Sequence, residues 1–275
     1  MQGWAFTVVI ALALLWTGWL LAGPTWQRWR RHRIARRPFP AAWRDVLRRQ
    51  VPLFSRLPAE LQLQLKRRML VFIADKPVIG CRGLQVTEAM RVVIAAQACL
   101  LLLNHRGEGF PNLRQVLLYP DTFVVDRVAP AGAGVLQEQR RALAGESWSQ
   151  GQVILSWTDV SEGATVADDG RNVVIHEFAH QLDQESGVAN GAPWLGRRER
   201  YERWSRVLGA EFEHLRERLS RGEPTLLGDY AATDPAEFFA VASEVFFEQP
   251  QALAAESPAL YRELSSYYRV DPLNW

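Results

Sequence analysis

The stretch Asn172-Val173-Val174-Ile175-His176-Glu177-Phe178-Ala179-His180-Gln181-Leu182-Asp183 reads as an apolar-faced helix carrying the pattern HExxH. Histidines four residues apart share one helical face, so both imidazoles can reach a single ion. Zn–N bonds of about 2.0–2.1 Å leave such an ion room for a third protein ligand and a water. Glu177 lies about 100° around the helix from His176. There its carboxylate reaches a water beside the ion rather than the ion itself. It can take that water's proton during attack on a carbonyl and deliver it to the leaving amine. With 5 histidines among 275 residues, the pentapeptide arises by chance roughly 0.006 times. A zinc site is the primary expectation.

The third ligand must come from elsewhere in the chain. A metzincin would continue with Gly and His where this sequence has Asp183 and Ser186, which excludes that class. His214 sits among Glu211, Glu213, Arg216, Glu217 and Arg218, the pattern of a solvated helix face. A better source is the segment from Asp229 to Glu244. Asp234 reads as an N-cap, Pro235 as the first helical residue and Glu237 as the third, so Glu237 has a plain reading as half of a capping pair. Yet Glu237 and Glu244 share one face of a helix otherwise rich in Phe, Ala and Val, where a carboxylate needs a charged partner. Glu237 is the expected metal ligand. Glu244 is an alternative ligand, better suited to orienting a histidine from behind. Asp183 can accept a hydrogen bond from a ligand imidazole or form a helix-end salt bridge. Tyr230, seven residues before Glu237, can stabilise the oxyanion formed on a peptide carbonyl.

Around this helix the chain reads as α+β. Leu57 to Ala74 has helical apolar spacing, and Thr87 can cap an apolar helix running to about Leu103. Gln115–Tyr119 and Thr122–Val125 read as short strands around a Pro-Asp turn, and Gln152–Trp157 as another strand. Beyond Asn172 the chain is mostly helical. The expectation is a mostly helical body with a small sheet.

With 275 residues, 48% hydrophobic and 23% charged, the chain can bury a substantial core. The same composition excludes a disordered chain, a disulfide scaffold and a polytopic membrane protein. Cys81 and Cys99 stand in apolar stretches and read as free thiols. The net charge of +2 hides an asymmetry: residues 1–49 hold nine arginines against the single acid Asp45, and the remainder is acidic. Direct nucleic-acid binding is therefore not expected. From Gly3 to Gly23 no residue is charged. As a helix this run would span roughly 31 Å, the thickness of a bilayer core. Arg28, Arg30, Arg31, Arg33, Arg36 and Arg37 follow it, and the positive-inside rule puts that side in the cytoplasm. A cleaved signal peptide is the rival, but it wants its charge before the apolar run. The expected organisation is a transmembrane anchor over 1–27, a basic juxtamembrane linker over 28–38 and a metallopeptidase domain over 39–275.

The sequence resembles the Mlc titration factor family of zinc metallopeptidases, whose catalytic core is similar to that of the anthrax lethal factor protease. The landmarks are Ile94–Cys99, Tyr119-Pro120-Asp121, Gly145–Trp148, Leu155-Ser156-Trp157, Asn172–Asp183 and Tyr230–Glu237. The resemblance implies a zincin-like fold, His176, His180 and Glu237 as zinc ligands, Glu177 as base and Tyr230 as oxyanion partner. It implies aminopeptidase-like cleavage of short peptides and binding of the transcriptional repressor Mlc. In some relatives a histidine stands near the position of Gln137; glutamine is a poor zinc ligand, so a three-ligand open site is expected. A peptide substrate is expected to lie along the strand Gln152–Trp157. A repressor-binding protein without catalysis is the second function class. The expected location is the bacterial inner membrane, single-pass with the catalytic body in the cytoplasm, with a cytoplasmic protein as the alternative.

Overall fold

The computed structural model of the chain describes residues 25–105, 107, 109–121 and 151–275, together with the single positions Ile10, Trp16 and Gly23. The Thr122–Val125 strand, Gly145–Trp148, Gln137 and nearly all of the uncharged run 3–23 lie outside the described residues. Among the described residues, no helix is long and apolar enough to cross a membrane.

Residues 25–35 are helical. Three helices follow: α1 (Ala41–Gln50), α2 (Pro52–Arg56) and α3 (Ala59–Asp75). The basic stretch expected as a linker is packed on the body: Arg30 and Arg31 pair with Asp75 at 2.7 and 2.6 Å, and Ile34 is buried. Strand β1 (Val78–Gly80) precedes α4 (Glu88–Leu100), which Thr87 caps by accepting from the Met90 amide. Strands β2 (Gln115–Tyr119) and β3 (Gln152–Ser156) complete a three-stranded sheet of order β1-β2-β3. Every pairing is parallel, with Val116 opposite Val153 and Leu118 opposite Leu155. Those four side chains are buried, so the pleat turns one apolar face to the core. Strand β3 stops at Ser156 because its hydroxyl accepts from the Asp159 amide, capping α5 (Trp157–Thr165). Trp157, expected in the strand, therefore opens a helix.

The remaining helices are α6 (Val173–Asp183), α7 (Arg198–Ser220), α8 (Pro235–Glu248), α9 (Pro250–Glu256) and α10 (Pro258–Tyr268), and a 3-10 turn at Tyr230–Ala232 leads into α8. Helix α8 is buried along almost its whole length, carrying Phe238, Phe239, Ala240, Ala242, Phe246 and Phe247 into the core. A helix buried on nearly every side belongs at the centre of a fold, and α8 packs against α6, α7, α9 and α10. On the other side of α6, Phe178 meets Phe72 of α3 and Phe110, with ring centroids 5.7 and 4.7 Å away. Helix α6 is thus packed from both sides, with its histidines on the face toward α8.

Candidate metal centre

Helix α6 begins at Asn172, whose side chain accepts from the Ile175 amide at 3.0 Å. Helix α8 begins at Asp234, which accepts from the amides of Ala236 and Glu237 at 2.8 and 2.9 Å, with Pro235 as the first helical residue. The Asp234 cap agrees with the sequence expectation. The carboxylate of Glu237, however, turns to α6 rather than closing a capping pair. Glu237, Glu244 and Glu248 are spaced i, i+7, i+11 and form one stripe along α8. Asn172, His176 and His180 are spaced i, i+4, i+8 and form the facing stripe on α6. The two run antiparallel: Glu237 faces both histidines, Glu244 faces His176 and Asn172, and Glu248 faces Asn172.

At the Glu237 end three ligand atoms converge. Glu237 Oε2 lies 3.1 Å from His176 Nε2 and 3.5 Å from His180 Nε2, and the two imidazole nitrogens are 3.2 Å apart. Donors about 2.0–2.1 Å from a tetrahedral ion stand about 3.3 Å from one another. The triangle therefore has the dimensions of one face of a zinc site. Glu237 Oε2 is buried against the two imidazole nitrogens, where a shared cation would neutralise it. Among the described residues these three form the group able to hold a metal ion.

Electrostatics agree with the geometry. Burial opposes ionisation of Glu237, but the hydrogen bonds and charges of His176 and His180 hold it well below the usual carboxylate range. Burial likewise opposes charging of His176, yet Glu244, Glu237 and Glu177 raise it well above the ordinary imidazole value. Glu244 Oε1 lies 2.7 Å from His176 Nδ1. A carboxylate only accepts, so Nδ1 carries a proton toward Glu244, and a cation in the triangle would take the place of the proton on Nε2.

The site lies in a cleft of about 690 Å³ lined by His176, Glu177, Tyr230, Glu237 and Glu244. The Tyr230 ring stacks on His176 at 5.8 Å between centroids. Asp183 is buried, and its Oδ2 accepts from the Gly191 amide at 2.7 Å. Gly191 in turn lies against Pro235, the residue that opens α8. Asp183 thus links the end of α6 to the start of α8. His214 is exposed on α7, as expected. The cleft's described lining comes from α5, α6, α8 and the loops around 170 and 228 rather than from β3. Sequence reasoning missed Asn172 and Glu248 as partners of the ladder. It also missed the acidic wall of Asp159 and Glu162, three residues apart on α5, and Asp169 in the loop that follows.

A helical body that turns two imidazoles and a carboxylate to one point on a cleft, with a further glutamate beside them, has the layout of a metallopeptidase. The family described as glucose-regulated metallo-peptidase M90 matches residues 26–269, and the chain belongs to that family. An uncharacterized protein of Synechocystis is 38% identical over 267 residues, covering 97% of each chain. Mlc titration factor A of Cronobacter sakazakii is 36% identical over 245 residues, 88% of this chain and 90% of that protein. Its counterpart in Klebsiella pneumoniae is 35% identical over 234 residues, 84% of this chain and 86% of that protein.

Proposed function

We infer that this metallopeptidase uses zinc, held by His176, His180 and Glu237, to hydrolyse peptide bonds. The observation that carries the reading is the triangle of Nε2, Nε2 and Oε2 atoms 3.1 to 3.5 Å apart beside Glu177. Zinc held by these three residues would supply Lewis acidity for the scissile carbonyl and lower the pKa of the attacking water. Glu177 accepts the proton of the attacking water and returns it to the leaving amine. Tyr230 donates its phenolic hydrogen to the carbonyl oxygen as negative charge grows there. Glu244 keeps His176 in the tautomer that presents Nε2.

An aminopeptidase-like preference is supported by Asp159, Glu162 and Asp169 on the cleft wall, which suit the ammonium of a free peptide N-terminus. The test compares peptide nitroanilides with free and acetylated N-termini in wild type and Glu177→Gln. Turnover of the free peptide that exceeds that of the acetylated one and is lost in the variant supports both parts of the reading. Equal turnover of the acetylated peptide removes the amine preference, and unchanged turnover in Glu177→Gln removes Glu177 from the chemistry.

Repressor binding is the second reading, supported by the name Mlc titration factor A that the enteric relatives carry. It is compatible with catalysis, and co-purification with an Mlc-type repressor tests it. Anchoring in a bacterial inner membrane, with the body in the cytoplasm, is supported by the uncharged run Gly3–Gly23 and the arginines that follow it. Sedimentation with membranes that resists carbonate extraction is the expected result; release into the soluble fraction supports the cytoplasmic alternative.

A further inference from the structure

A second cavity, of about 530 Å³, shares no lining residue with the cleft. Its walls are the helical residues after position 25, α3, and the residues Leu102, Gly107, Gly109 and Phe110. Arg28, Arg31, His32, Arg67, Arg68 and Lys76 line it, and Asp75 is the one acid among the described lining residues. Asp75 is already shared by two arginines, Arg30 on Oδ1 and Arg31 on Oδ2. The Lys76 ammonium is buried and donates to the carbonyls of Phe110 and Leu113 at 2.8 and 2.6 Å. Arg68 donates to the carbonyls of Gly107 and His105. Carbonyl bonds hold these cations in place without cancelling their charge. Burial pushes both Lys76 and Arg68 down from their ordinary pKa values, and for Lys76 the nearby Arg31 adds to the effect. The floor is apolar, built from Val71, Phe72, Leu102 and Phe110.

We propose that this cavity is a binding site for an organic phosphate, its anion held by the arginines and Lys76 and its attached group seated on the apolar floor. Guanidinium forks match phosphate oxygens, and an anion would offset like charges that folding has brought together. The volume and the apolar floor call for more than a bare inorganic ion. Two sources share this chemistry: the headgroup of an anionic phospholipid and a soluble phosphate ester. The walling helix follows directly in sequence on the uncharged run Gly3–Gly23, which brings the lipid source within reach.

The test titrates the full chain, in micelles of an uncharged detergent, with dihexanoyl phosphatidylglycerol, glycerol 3-phosphate and dihexanoyl phosphatidylcholine, followed by calorimetry. Arg28 and Arg67 are exposed, so Arg28→Glu with Arg67→Glu changes the cavity without touching the core. Arg33→Glu with Arg36→Glu makes the same charge change outside the lining. The expected result is saturable binding of one anion per chain, weakened at least tenfold in the cavity pair and less than threefold in the outer pair. Preference for phosphatidylglycerol over glycerol 3-phosphate identifies the headgroup; equal binding identifies a soluble ester. Should charge reversal disturb the fold, Arg28→Gln with Arg67→Gln shows the same loss. No saturable binding of either anion, equal binding of phosphatidylcholine, or equal losses in the two variant pairs overturns the proposal.

Discussion

Glu244 Oε1 lies 2.7 Å from His176 Nδ1 while its Oε2 accepts from the amide of Asn172, so one carboxylate fixes both an imidazole and the start of the helix that carries it. Glutamine at position 244 cannot satisfy both donors. One of them must face an amide NH2, at a cost of roughly 1–3 kcal/mol. Glu244→Gln is expected to stay folded and to bind zinc about 10–100-fold more weakly. Competition against a chelator measures this; an unchanged affinity would show that Glu244 does not orient His176.

Glu248 ends the same ladder with a different balance. Burial raises its pKa from the ordinary 4.5 to about 8, against the hydrogen bond from Asn172, with Asp169 and Glu244 adding to the rise. The folded state therefore keeps a proton that the unfolded chain has released above 4.5. Stability falls as pH rises from about 4.5 toward 8, with up to about 3 kcal/mol lost by neutral pH. Asp183, raised to about 6 by burial, acts in the same direction over a lower window. Glu248→Gln should match wild type in urea unfolding at pH 4.5 and exceed it at pH 7.5. A constant difference across that range would show that Glu248 does not change protonation on folding.

Gly191 has a positive φ of 76°, and a Cβ there would stand 2.2 Å from the Pro235 carbonyl oxygen. Gly191→Ala must either adopt a strained backbone or push the start of α8 away from α6. A loss of about 1–3 kcal/mol is expected, together with weaker zinc binding because Glu237 moves with α8. Gly209→Ala is the counterpart: it lies inside α7 with nothing within 4 Å of a new Cβ, and should stabilise by about 0.5–1 kcal/mol. Thermal unfolding of the two variants reads both effects.

Tyr230 stacks on His176 and lines the cleft without being one of the three converging ligands. Tyr230→Phe should retain full zinc content while turnover falls by about 10²-fold, the usual effect of losing one oxyanion donor. Zinc analysis and peptide turnover on the same sample separate this from a structural role, in which metal and activity would fall together.

The site was largely legible because its parts are periodic within single helices. HExxH puts two imidazoles on one face, and the seven-residue step from Glu237 to Glu244 puts two carboxylates on another. The caps at Asn172 and Asp234 then fix where each period begins. Glu248 continues the same stripe by four residues, and its partner Asn172 precedes His176 by four, so the full ladder was present in the spacing. Strand β1 was not legible: three residues, Val78–Gly80, are too few for an alternation, and without it the parallel order of the sheet had no visible cause. The basic cavity joins segments far apart in the chain. No local pattern announces it; only the packing of α3 against the helical residues after position 25 brings its charges together.

The central claim is that His176, His180 and Glu237 hold the metal while Glu177 beside them does not. Metal analysis of purified wild type, Glu237→Gln and Glu177→Gln tests it most directly. The account predicts one zinc per chain in wild type and in Glu177→Gln, and strongly depleted zinc in Glu237→Gln. Full zinc in Glu237→Gln with loss of zinc from Glu177→Gln would contradict it.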